Sequence, residues 1–160
     1  MKQSLTLLLL GLSVFVAPMV GAEIKTVYRE MSPAQITRLA ETMEVKVTNK
    51  KRSDGLPGLT LNYGDYNATL FFYDCVVADQ CGSLRFSAAF SMGKIPTQQV
   101  INNWNDNGIF ARAYLSNSGT PIIFWDYSLR TGATVESVAY TILRFKSVMA
   151  AFVEHLQKGE

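Results

Sequence analysis

The chain has 160 residues, of which 48% are hydrophobic and 18% charged, with a formal net charge of +2. That size and composition fit one globular domain with a substantial core. The near-neutral balance and the lack of a long basic block argue against a nucleic-acid binder, which needs a basic face with many phosphate contacts.

In chain order, the first segment reads as an export signal. Lys2 supplies a positive start, Leu5 to Val16 is apolar, and Val20-Gly21-Ala22 places small residues at a cleavage point before Glu23. The apolar run is short for a membrane span, and no later stretch is long enough for one. Residues 1–22 are therefore expected to be a signal peptide and residues 23–160 a single domain, whose net charge is +1 once Lys2 is gone.

Ser32-Pro33 reads as a helix cap followed by proline at the first helical position. Ile36, Leu39 and Met43 then recur at helical spacing. "VKVTNK" reads as a strand, "SDGLPG" as a turn and "LTLNY" as a strand. Lys50-Lys51-Arg52, the densest cationic cluster, stands beside Asp54 and Gly55 and reads as a solvated turn. "ATLFFYD" leads into a loop and "SLRFSAAF" leads out of it. In the returning segment Leu84, Phe86, Ala88 and Phe90 alternate with Arg85, Ser87 and Ala89, the period-two pattern of a half-buried strand.

The loop between these strands carries the two cysteines, Cys75 and Cys81. In an exported chain an even cysteine count points to a disulfide. A redox pair would usually have two residues between the thiols rather than five. Two thiolates without a nearby histidine make a poor zinc site.

Pro96 and Thr97 open a second helix carrying Val100, Ile101 and Trp104. "IFARAYL" and "PIIFWDYSL" read as strands joined by an "NSG" turn. Val135, Val138, Ile142, Phe145, Met149, Phe152 and Leu156 then follow spacings of three and four, the stripe of a long helix packed on a sheet. The expected architecture is an α+β domain in the order α-β-β-β-α-β-β-α. An antiparallel sheet of about five strands would carry helices on one face.

Residues 100–115, "VINNWNDNGIFARAYL", gather four asparagines around Trp104. Asn107-Gly108 is a natural helix stop, because both residue types tolerate a left-handed backbone. Asn102, Asn103 and Asn105 are expected to bond the backbone around the helix end. Trp104 shares a face with Val100 and Ile101 and is expected to fill the core.

Asn102, Trp104 and Asn105, followed by Phe110-Ala111-Arg112-Ala113, resemble the signature of the YbjN family of bacterial proteins. The match runs on through Asn117-Ser118-Gly119, Asp126 and Gly132. The resemblance implies a fold similar to type III secretion chaperones and a role as a candidate sensory-transduction regulator. It implies no reaction and no catalytic residue.

The chain offers little for catalysis. His155 is its one histidine, expected on the surface in the last helical turn, and no nucleophile or phosphate-loop motif occurs. The carboxylates are scattered, so neither catalytic residues, a metal site nor a cofactor is expected. Asp126, in an otherwise apolar run, is expected to pair with Arg112. Alternation places Phe110, Arg112 and Tyr114 on one side of their strand, and Tyr63, Trp125 or Tyr127 are candidates to join them. Aromatics with arginine are what protein interfaces favour.

The sequence thus points to a non-catalytic interaction or chaperone-like module, periplasmic or secreted by a bacterium, with a protein or peptide partner. Fold analogy adds homodimerisation as an option. The alternatives are an envelope hydrolase using carboxylates and a small-ligand sensor with a cavity lined by Trp104 or Trp125. The pattern around Trp125 leaves open which sheet face is free.

Overall fold

Ser32 starts the first helix through a reciprocal cap. Its hydroxyl accepts the Gln35 N–H, and the Gln35 side chain accepts the Ser32 N–H at 2.8 Å. The computed structural model describes residues 25–50, 52–77 and 79–159. The expected signal peptide and Lys51 lie outside them. The elements are β1 (Val27–Tyr28), α1 (Pro33–Glu41), β2 (Lys46–Asn49), β3 (Gly58–Asn62), β4 (Asn67–Val77) and β5 (Gln80–Ala89). They continue with α2 (Gln98–Asn107), β6 (Arg112–Leu115), β7 (Pro121–Ser128), β8 (Ala133–Thr134) and α3 (Val135–Lys158). No helix among the described residues is long and apolar enough to cross a membrane.

The fold is α+β. Its main sheet has six strands in the order β2-β3-β4-β5-β7-β6, with every neighbouring pair antiparallel. The expected count of about five strands falls short, and so does the expected three strands between the first two helices. Four lie there, because both arms of the cysteine hairpin are full strands. β1 and β8 add a separate two-stranded ladder. Two-residue strands are too short to show any periodicity.

Register divides the side chains between two faces. Leu84 lies opposite Phe72 and Tyr127, Phe86 opposite Leu70 and Trp125, and Ala88 opposite Ile123. This face carries the core. The helical stripe meets it as expected: Val138, Ile142, Phe145, Met149, Phe152 and Leu156 are all buried, and only Val135 in the first turn is exposed. Phe145 packs on Phe86 with ring centroids 5.5 Å apart, and Phe152 packs on Trp104 at 5.0 Å. Ile36 and Ala40 of α1 join the same core.

The end of α2 corrects one expectation. Gly108 is not left-handed; its φ is −74°. The glycine is needed for space instead, since a Cβ there would come 2.6 Å from the Trp104 carbonyl oxygen. The left-handed turn falls two residues later, at Phe110, with φ 74°.

Cys75 and Cys81 form the expected disulfide between β4 and β5. Beside it Arg130 pairs with Glu30 and with Asp74, and donates to the Asp74 carbonyl at 2.9 Å. One guanidinium thereby ties the segment before α1 to the hairpin and to the β7–β8 loop. Gly82 lies under it, where a Cβ would collide with the guanidinium.

Candidate functional site

The face turned away from the helices is built by the alternate residues of the same strands. Arg85 lies opposite Phe71 and Asp126, Ser87 opposite Thr69 and Phe124, Arg112 opposite Phe124, and Tyr114 opposite Ile122. Rings and guanidinium groups alternate across it. The Arg52 guanidinium lies 4.9 Å from the Phe71 ring centre and 4.8 Å from that of Tyr73. Arg85 lies 5.9 Å from Tyr73 and 4.7 Å from Phe124. Tyr114 meets Phe124 edge to face at 5.9 Å. Cations over ring faces are attracted by the ring quadrupole, so these side chains hold one another in a fixed ladder.

Each arginine of the ladder is also anchored by a carboxylate. Arg85 grips Asp126 bidentately, with Nε at 2.5 Å and Nη2 at 2.6 Å. The Asp126 hydrogen bond holds the Arg85 guanidinium charged, raising its pKa. Arg52 pairs with Asp54, whose carboxyl is held below its usual range by that hydrogen bond. Arg52 further donates to the Phe72 carbonyl at 3.2 Å, and its side chain is only 8% exposed. Lys50 reaches over Phe71 and donates to the Thr69 hydroxyl at 2.9 Å.

The residues singled out in the sequence separate between the two sides. Arg112 and Tyr114 stand exposed on the open face. Asp126 is on that face too, but its partner is Arg85 and not Arg112. Register decides this: Asp126 lies directly opposite Arg85, whereas Arg112 lies opposite Phe124 and donates to the Gly108 carbonyl at 3.1 Å. Trp125 and Tyr127 share the face of Phe86 and Leu84, under the helices, where Tyr127 donates to the Ser137 hydroxyl at 2.9 Å. Phe110 precedes the strand, and its left-handed backbone leaves its ring stacked on Trp125 at 4.9 Å, under Arg144. Tyr63 is buried and donates to the Ile142 carbonyl at 3.0 Å, and burial pushes its phenol pKa up. Phe71, Tyr73 and Phe124 join this face beyond the residues singled out in the sequence. The alternation in "TLFFYD" was the signal, since Leu70 and Phe72 point inward and leave Phe71 and Tyr73 outward.

Among the described residues no group of three or more His, Cys, Asp or Glu side chains is placed to hold a metal ion. A groove of about 610 Å³ beside α1 and β2 includes one carboxylate, Asp79. A second, of about 410 Å³ between Trp104, Phe110 and α3, includes none.

The model of one protein family, YbjN, described as "Putative bacterial sensory transduction regulator", matches residues 32–158. The chain belongs to the YbjN family. No curated protein and no solved structure matches it. A family of that description is not a known enzyme family, and the description fits a regulatory or interaction module.

In this YbjN protein two of the signature residues, Trp104 and Asn105, tie α2 to β6 and the residue before it. Trp104 donates its indole N–H to the Ala111 carbonyl at 3.2 Å. Asn105 bonds both backbone polar groups of Ala113. Asn102 stays at the surface and accepts from Gln98 at 3.1 Å. Gly132 has φ 99°, and a Cβ there would come 2.6 Å from Val27. His155, expected at the surface, is half-buried, with Nε2 2.8 Å from the Val100 carbonyl oxygen, and so links α3 to α2.

Proposed function

We propose that this YbjN protein is a non-catalytic, chaperone-like interaction module of the bacterial envelope that holds a protein or peptide partner on its open sheet face. The observation that carries the reading is the ladder of aromatic rings and guanidinium groups on a face turned away from the described helices. Aromatics and arginine supply most of the binding energy at protein interfaces. Here they are pre-ordered by their own contacts, which lowers the entropy lost on binding. Export is supported by the signal-like pattern of residues 1–22 and by the Cys75–Cys81 disulfide, which suits an oxidising compartment.

The test is capture from envelope extract on the immobilised, oxidised protein, with an Arg112→Ala/Tyr114→Ala variant beside it. A partner retained by the wild type and lost by the variant supports the reading and locates the surface. Retention that is equal on both, or absent from both, counts against it. N-terminal sequencing of the protein from fractionated cells checks export. A start at Glu23 in the periplasmic or extracellular fraction is expected, and a start at Met1 in the cytoplasm would remove the envelope from the proposal.

A further inference from the structure

The polar residues of the open face form a pattern of their own. Thr48 lies opposite Thr60, Thr60 opposite Thr69, Thr69 opposite Ser87, and Ser87 opposite Phe124, which is opposite Arg112. Four hydroxyls therefore stand in one row across four strands and lead to a guanidinium on the edge strand. Lys50 donates into the middle of the row at Thr69. Lys46 stands at the opposite edge, two residues from Thr48 on the same face.

The charges of the face are one-sided. Lys46, Lys50, Arg52, Arg85 and Arg112 stand against two carboxylates, Asp54 and Asp126, a net of +3. The whole chain carries only +2, so the rest of the protein sums to −1. Both carboxylates are already engaged by Arg52 and Arg85. Lys46, Lys50 and Arg112 are exposed and make no ion pair among the described residues.

We infer that the open face docks an acidic, extended polypeptide segment laid across the strands along the row from Thr48 to Arg112. This rests on the interaction reading above and names the chemistry of the partner. Five interstrand steps span about 24 Å, which an extended chain covers in about seven residues. Hydroxyls and ammonium groups along that path are donors for carboxylates, and the Tyr114–Phe124 pair at the β6 end offers an apolar platform. A nucleic acid fits less well, because bases stack on free ring faces, and Arg52 and Arg85 already cover those of Phe71, Tyr73 and Phe124. A second copy fits less well too, because two faces of net +3 repel when brought together.

The test is fluorescence anisotropy with the oxidised protein and labelled peptides of about ten residues, enough to cross the sheet. The peptides alternate serine with glutamate, glutamine or lysine. The glutamate peptide is expected to bind, and to bind more weakly as salt is raised. A Lys46→Gln/Lys50→Gln/Arg112→Gln variant, checked for an unchanged unfolding midpoint, is expected to bind about tenfold more weakly or worse. Lys46→Gln alone, at an exposed edge position, gives a smaller loss and serves if the triple variant is unstable. Equal binding of the glutamine or lysine peptide, no binding of the glutamate peptide, or binding indifferent to the lysines overturns the inference. So does binding confined to phosphatidylcholine–phosphatidylglycerol vesicles, which would assign the face to a lipid surface. A partner captured through Tyr114 while the glutamate peptide fails would leave the interaction module standing and remove only its acidic partner.

Discussion

Asn105 reaches from α2 to both backbone polar groups of Ala113, donating through Nδ2 to the carbonyl at 2.9 Å and accepting the N–H through Oδ1 at 2.8 Å. An amide side chain thereby takes the place of a strand partner at the edge of the sheet. Both donor and acceptor are required, which only Asn supplies at this length. Asn105→Ala removes two hydrogen bonds and leaves two part-buried backbone groups without protein partners. The expected loss is about 2 kcal/mol of unfolding free energy, read from urea denaturation. Asn105→Asp should lose nearly as much, because a carboxylate cannot donate to the Ala113 carbonyl. A loss under about 0.5 kcal/mol for both variants would show that this pairing does not hold α2 to β6.

The Asn-rich stretch also shows what a sequence displays and what it hides. The cap at Ser32, the start of a second helix at Pro96-Thr97, the period-two strands and the stripe of α3 are legible because each is a local rule written in consecutive residues. That Trp104 fills the core was legible for the same reason. The partner of Asp126 was not. Arg85 and Arg112 are equally reasonable on composition, and only the β5–β7 register selects Arg85. Likewise Trp125 and Tyr127 sit in a strand with apolar or aromatic residues on both faces, so alternation could not orient it until β5 was known to be its neighbour. Phe110 escaped for a backbone reason: its positive φ breaks the alternation that would have placed it beside Arg112.

The Arg85–Asp126 pair gives a direct test of that register. Both side chains are partly exposed, at 40% and 54%, so water and salt screen the pair. Asp126→Asn should cost under about 1 kcal/mol. A double-mutant cycle on Arg85 and Asp126 should show coupling, whereas one on Arg112 and Asp126 should show none within error. Coupling confined to Arg112 would mean that β7 pairs in another register.

Acid should weaken the fold through its held carboxylates. The Arg130 hydrogen bond keeps Asp74 below its usual value of 3.8, and Arg52 does the same for Asp54. A carboxyl depressed in the folded state binds fewer protons there than in the unfolded chain. Its contribution is complete above the unfolded pKa and disappears as pH falls through the folded one. The melting temperature should therefore fall below about pH 4, and Asp74→Asn should make that fall shallower. Both carboxylates are exposed, so the effect should also shrink in high salt. An acid profile identical in Asp74→Asn and wild type would disconnect Arg130 from the acid sensitivity.

The disulfide should matter most at the hairpin it closes. The ring from Cys75 to Cys81 has a sequence separation of 6, which corresponds to about 2 kcal/mol of restricted unfolded-chain entropy. Reduction should lower the unfolding free energy by about that amount, and Cys75→Ala/Cys81→Ala should be insensitive to reductant. The loss should be unevenly distributed. Cys81 is fully buried and exchanges both backbone hydrogen bonds with Met31, at 3.1 and 3.2 Å, so its strand is held without the sulfur. Cys75 follows a left-handed residue, Asp74, and precedes a register shift between Cys75 and Val77, where the ladder is interrupted. Hydrogen exchange after reduction should accelerate at the amides of Cys75 and Val76 while the Met31 and Cys81 amides stay protected. Equal acceleration at all four would mean that the cross-link, and not the Met31 bridge, holds the base of the hairpin.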